Sequence, residues 1–308
     1  MKRISFVVLL LASMAAAQDQ PAQAAASTQK QEQFTSNLVE RPIAPTFSDV
    51  NCSGFVTRQA LPMTNLVAGA ERTPQATRFG QRDTIFLKGG EYSVGQQFRL
   101  VRRVKDPNNN EIVRRQRKTL RDTGDLWTDL GIVRVTDIDK GVAVVNVEFA
   151  CEPIEVGDLA IPFEERPIVP FSRKPIEFKE WAVATTGETG RIVGARDFDY
   201  LIGTGRKVYV NIGSGKGLKA GDYLRVTRGY GNDEQAAVDR ISEEVGNLED
   251  AADRMPRAPK PSEADLPRHG IGEMLVLSVT PDTATAMVTV AREDIHIGDR
   301  VEVEASQR

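Results

Sequence analysis

Short runs of mainly apolar or alternating residues recur along much of the chain. LGIVRVTDID (130–139) and VAVVNVEFA (142–150) are rich in β-branched residues and are joined by an Asp-Lys-Gly turn. EMLVLSVT (273–280) and TATAMVTVA (283–291) repeat the plan around a Pro-Asp turn. Runs of this length and composition between turn residues predict strands. GDLAIPF (157–163) and GDRVEVE (298–304) each add a last strand after a Gly-Asp turn. Five or six short strands in roughly 100 residues, with no helix between them, predict a small antiparallel barrel or sandwich. Closure into a barrel would remove the exposed strand edges.

The strand pattern occurs twice. From Gly131 to Asp158 every position corresponds, without a gap, to the one 141 residues later. Gly131 pairs with Gly272, Val135 with Val276, Ala143 with Ala284 and Val147 with Val288. Glu152, Ile154, Gly157 and Asp158 pair with Glu293, Ile295, Gly298 and Asp299. Upstream, Val94-Gly95-Gln96-Gln97-Phe98 matches Ala220-Gly221-Asp222-Tyr223-Leu224, after a turn about three residues shorter in the first copy. The chain therefore carries a tandem duplication over roughly residues 66–165 and 191–304, and such self-similarity outranks local motifs as evidence of architecture.

Three stretches depart from the strand pattern. Lys2-Arg3, the apolar run Ile4–Met14 and Ala15-Ala16-Ala17 read as a secretory signal peptide over residues 1–17, cut between Ala17 and Gln18. That run is too short to span a bilayer, which takes about 20 apolar residues, and no later segment reads as transmembrane. Residues 18–45 are dominated by Gln, Ala, Ser and Thr, and are expected to form a disordered tether. In the second copy, Val238, Ile241, Val245, Leu248 and Ala252 recur at helical spacing. They predict an amphipathic helix over 233–254, offered to its own barrel or to a partner or second copy, followed by a Pro-rich return. The expected organisation is a first repeat with an N-terminal extension (46–165), a linker (166–190) and a second repeat (191–304) with a variable insert at 229–269.

Charge and cysteine content narrow the setting. The chain has 40 basic and 43 acidic residues, and loss of residues 1–17 with Lys2 and Arg3 takes the net charge from −3 to −5. This argues against a nucleic-acid partner held by net charge. Two cysteines, Cys52 and Cys151, in an exported chain favour a disulfide over two separate buried thiols. The bridge would pin the segment VNCSGFVT to the first repeat.

Candidate chemistry is sparse. VNIGSGKGLKAGD (210–222) invites comparison with a phosphate loop, but Val210 stands where the first glycine is required and Gly217 where Ser or Thr is required. A strand follows it, not a helix, so the glycines read as a turn. His269 and His296 have no second metal ligand at working spacing. The Gly-Asp pairs sit in the same turn of each copy, which favours a structural role. Arg102, Arg103, Arg114, Arg115, Arg117 and Lys118 form a basic cluster. Its two readings are a binding site for anionic lipid or an acidic polymer, and a solvated loop or short helix between strands. No catalytic, metal or cofactor-binding residues are assigned.

Val208-Tyr209-Val210, Gly217, Gly221-Asp222, Ile271-Gly272-Glu273 and Gly298-Asp299 resemble the C-terminal domain of the flagellar assembly protein T family and related exported bacterial envelope proteins. The resemblance is strongest over the last third of the chain and weaker over 82–163. It implies small SH3-like β-barrels and a periplasmic or envelope location; its shared positions are turn and strand residues, and no catalytic residue carries over. The combined expectation is a mainly β, tandem SH3-like barrel protein, non-enzymatic, that binds peptidoglycan, anionic lipid or an envelope protein. The alternatives are an assembly component and an enzyme subunit with a site between the barrels.

Overall fold

The structure, a computed structural model, describes residues 44–72, 75–107, 116–171, 178, 181, 187–228 and 269–303. An N-terminal segment supplies helix α1 (Phe47–Asn51) and strand β1 (Phe55–Thr57). The first repeat follows with β2 (Leu66–Ala70), β3 (Thr84–Lys88), β4 (Gln97–Val104), helix α2 (Gln116–Thr123), β5 (Asp125–Asp139), β6 (Val142–Ala150) and β7 (Leu159–Pro162). The second comprises β8 (Thr189–Ala195), β9 (Lys207–Val210), β10 (Tyr223–Arg228), β11 (His269–Val279), β12 (Ala284–Ala291) and β13 (Arg300–Val303). The proposed signal peptide with its Ala17–Gln18 junction, most of the tether, Arg114, Arg115 and the 233–254 helix lie outside the described residues.

Both repeats close into six-stranded antiparallel barrels. The first runs β4-β5-β6-β3-β2-β7 and returns to β4; the second runs β10-β11-β12-β9-β8-β13 and returns to β10. Each strand has its counterpart at the same place in the other ring. Of the two architectures the strand pattern allowed, the barrel forms; the expectation of no helix between the strands fails in the first copy, where α2 stands between β4 and β5 in a polar stretch without strand alternation.

The duplication extends to strand register. Gly131 faces Ala150 across β5 and β6, and Gly272 faces Ala291 across β11 and β12. A bulge follows one residue later in each pair, at Ile132/Val133 and at Glu273/Met274. Close approach explains the shared glycine. A Cβ at Gly131 would lie 2.3 Å from the Phe149 carbonyl oxygen, and one at Gly272 2.6 Å from that of Val290. The added bend at a bulge helps a short sheet curl into a closed ring.

Inward-facing side chains fill each barrel. Ile85, Leu87, Leu100, Val133, Val145 and Val147 are fully buried in the first, and Val208, Val210, Leu224, Val226, Met274 and Val276 in the second. The period of two set by the pleat assigns them to one face.

The two barrels meet on the N-terminal segment. β1 pairs with the start of β5, which is why β5 begins at Asp125, five residues before the run read as a strand. The other side of the segment faces the second barrel. The Tyr209 hydroxyl donates to the Ser53 carbonyl at 3.0 Å and the Thr285 hydroxyl to that of Gly54 at 3.0 Å. The Thr283 hydroxyl donates to the Val56 carbonyl at 2.5 Å. Val50 packs with Leu277 and Met287, while Val56 and Leu126 pack with Val193 and Tyr209. Thr46 caps α1, its hydroxyl accepting the Asp49 N–H while the Asp49 carboxylate accepts the Thr46 N–H, and Asp49 also forms an ion pair with Lys207. Gly54 sits at φ +69°, and a Cβ there would meet the Tyr209 hydroxyl at 2.5 Å. In the middle of this segment Cys52 is bonded to Cys151, just beyond β6 of the first barrel, 99 residues away. The expected bridge therefore exists, and it ties down the segment on which both barrels rest.

Two outcomes follow. The Cys52→Ser/Cys151→Ser double variant is expected to lose about 2–4 kcal/mol of stability by urea unfolding, the usual range for a bridge closing a long loop. An unchanged midpoint would show that the segment holds without it. Burial by itself raises the Asp49 pKa, but the Lys207 and Thr46 contacts outweigh it and keep the carboxyl below its usual value of 3.8. A carboxyl with a lowered pKa contributes stability that is present above its unfolded pKa and lost as pH falls through the folded one. The stability gap between the wild type and Lys207→Met should therefore narrow between about pH 5 and about pH 2. A constant gap over that range would rule out the ion pair as its source.

Candidate functional site

The candidate basic cluster is largely engaged by carboxylates. Arg102 clamps Asp158 with two bonds, Nε to Oδ1 at 2.7 Å and Nη2 to Oδ2 at 2.8 Å, and its Nη2 also donates to the Pro153 carbonyl. The Asp158 contact raises the pKa of this guanidinium. Arg103 pairs with Asp125, and Lys118 pairs with Asp122 one turn along α2. Arg117 lies exposed on α2. Arg102, Arg103 and Lys118 are thus each engaged by a separate carboxylate.

The Arg102 clamp recurs in the second barrel. Arg228 donates from Nε to Asp299 Oδ1 at 3.0 Å and from Nη2 to Oδ2 at 2.8 Å, with a further bond to the Asp294 carbonyl. Asp158 and Asp299 each also accept the backbone N–H three residues earlier, from Glu155 and His296. The paired Gly-Asp turns are therefore anchors for the last strand of each barrel. His296 lies against Arg228, and His269 faces Glu293 and stacks on Trp181. Among the described residues no group of three or more His, Cys, Asp or Glu is placed to hold a metal ion. Ser214–Lys216 forms a 3-10 turn leading into β10, so the glycine-rich stretch opens no α-helix.

A network not anticipated from the sequence lies under the N-terminal segment. Asp129, only 1% exposed, accepts from Arg99 Nη1 at 3.4 Å, Arg166 Nη1 at 2.9 Å and the Gly54 N–H at 2.9 Å. Arg99 donates further to Asn51 and to the Glu164 carbonyl, and lies over the Phe163 ring. Arg166 also donates to the Val50 carbonyl. Burial, with the neighbouring Arg166 charge, pushes the Arg99 pKa down to about 10. One carboxylate thus joins a strand, the N-terminal segment and the linker. The available signal was the repeat itself: Phe98-Arg99-Leu100 matches Leu224-Arg225-Val226, and Arg225 is also buried.

Two clefts flank these networks. One, of about 690 Å³, opens on the outer face of the first barrel between α1 and the linker. Its walls include Phe47, Ile132, Phe149, Phe163 and Ile168, with Gln97, Glu148, Glu165 and Arg166 among its polar groups. The other, of about 420 Å³, lies between the barrels and includes Arg78, Arg102, Glu152, Glu155, Arg196 and Phe198. Its charges are paired, Arg78 with Glu155 at 3.2 Å within the first barrel and Arg196 of the second with Glu152 of the first at 2.7 Å. No protein-family model matches the chain, and no curated protein matches it. What fold and site define is a class: two closed β-barrels in tandem, joined through a disulfide-held segment.

Asp129→Ala leaves two buried guanidinium groups without their carboxylate. It is expected to cost about 3–5 kcal/mol, the range for breaking a buried ion pair, read by urea denaturation. A loss below about 1 kcal/mol would show that water or another acceptor takes over.

Proposed function

We propose that the protein is an exported, non-enzymatic component of the bacterial cell envelope that binds or scaffolds other envelope molecules. The observation that carries this reading is the Cys52–Cys151 bridge at the junction of two closed barrels. Structural disulfides form and persist in oxidising compartments, which suits the signal-peptide pattern of residues 1–17. A bridged, doubled barrel is a rigid platform, and platforms of this kind act through the loops and grooves they display. The resemblance of the last third to the flagellar assembly protein T family points the same way. The ligand classes are peptidoglycan, anionic lipid or an envelope protein.

The inter-barrel cleft favours a second reading, an enzyme subunit with its site between the copies. Its charged groups are bonded to one another, and the groups that line it are those that hold turns and barrels together. This supports a structural role for them.

The test is co-sedimentation of the bridged mature protein with purified peptidoglycan sacculi and with vesicles of outer-membrane lipid, beside affinity capture from envelope extract. Retention on sacculi or vesicles is expected for a binding module. Recovery of a defined protein partner alone would make the chain an assembly component. Failure on all three would overturn the proposal in favour of the enzyme reading.

A further inference from the structure

The two barrels differ in what covers one equivalent face. In the second barrel the outer face of β10, β11 and β12 carries Tyr223, Arg225, Glu273, Thr289 and Val290, and all five are buried. Phe178 of the linker, itself buried, lies over Arg225 at 5.5 Å. The counterparts in the first barrel are Gln97, Arg99, Ile132, Glu148 and Phe149. Arg99 has the same kind of aromatic cover, from Phe163 at 5.4 Å. Beside it, however, Gln97 and Phe149 are half-buried and Glu148 is exposed, because the 690 Å³ cleft opens there.

The lining of this cleft is unusual for a surface left to water. Phe47 and Ile168 are 46% and 43% exposed and face the same opening. Phe47 meets Phe149 edge-to-face at 5.1 Å, which gives one wall two aromatic rings. Glu148 on the barrel side is held by Arg134 and Gln97. Glu165, on the linker side, is exposed and forms no ion pair among the described residues. An apolar floor with a single unmatched carboxylate at the rim is complementary to an apolar side chain next to a cation.

We propose that this first-barrel cleft is a docking groove for a segment of a partner protein that carries a large apolar side chain beside a basic residue. The second barrel shows the mode of cover within the same chain: the Phe178 ring lies over Arg225 on the equivalent face. The first barrel presents that face open, and a partner segment completes it. This inference rests on the reading of the chain as a binding module and names one of its surfaces.

The test is selection of a random-peptide phage library on the bridged mature protein, followed by titration of the selected peptides as synthetic, fluorescently labelled probes. Enriched sequences should share an aromatic or large aliphatic residue next to Lys or Arg. Their affinity should fall about tenfold or more in Glu165→Lys and in Ile168→Asp. Both positions are exposed, so folding is expected to survive, and circular dichroism with thermal unfolding checks it. The proposal is overturned if no sequence is enriched, if enriched peptides lack the basic residue, or if neither substitution weakens them. It is also overturned if Ile168→Asp instead abolishes a dimer seen by sedimentation velocity, since the occupant would then be a second copy. Undiminished retention of Ile168→Asp on sacculi or vesicles, without peptide binding, would remove the groove and leave the wider binding reading intact.

Discussion

Burial of one carboxylate organises the first barrel and its surroundings. Asp129 is held by Arg99 from β4, Arg166 from the linker and the Gly54 N–H from the N-terminal segment. An ionised carboxylate out of water is tolerated only when donors replace its hydration, so each of these three elements must be in place for the others to be stable there. The segment carrying Gly54 is also the surface on which the second barrel rests, through Tyr209, Thr283 and Thr285. Cys52, two residues earlier, bonds the same segment to the end of β6. Inter-barrel geometry thus depends on a short stretch fixed by one buried charge and one covalent bond.

The duplicated barrels show which features belong to the fold and which to the individual copy. Both retain the ring order, the bulge after the shared glycine and the arginine clamp on the Gly-Asp turn. In the first copy the clamp engages Arg102 side-on: its Nε and Nη2 both bond the Asp158 carboxylate, a geometry that arginine matches well. The copies diverge on their outer faces. The first carries an Arg99–Asp129 pair beneath an open apolar cleft, and the second buries Arg225 under Phe178 and buries Glu273 beside Thr289. Core positions are constrained by packing density, while outer faces are free to acquire different covers.

Much of the architecture was legible in the sequence because it rests on periodic signals. Alternation placed the strands, self-similarity at 141 residues showed two copies, and an even pair of cysteines in a chain read as exported pointed to the bridge. The glycine-rich stretch and the Gly-Asp pairs were read as turns, and turns are where the structure places them. The arginines of the basic cluster were readable only as cations, since the carboxylates facing Arg102 and Arg103 lie far along the chain: Asp158 lies 56 residues from Arg102, and Asp125 22 from Arg103. Arg99 and Asp129 left no local mark, because a charged residue in an alternating strand has the same pattern whether its outer face meets water or another segment.

By itself, then, the sequence determined the β class, the duplication, the strand and turn positions and the cysteine pair, all of which follow from local spacing and composition. Tertiary structure decided the rest. Closure into barrels, in preference to a sandwich, depends on the pairing of β4 with β7 and of β10 with β13, which are far apart along the chain. The burial of Asp129, the use of residues 47–57 as the joint and the opening of a cleft on the first barrel depend on which segment covers which face. Those outcomes are set by contacts between residues distant in sequence, and no periodic pattern encodes them.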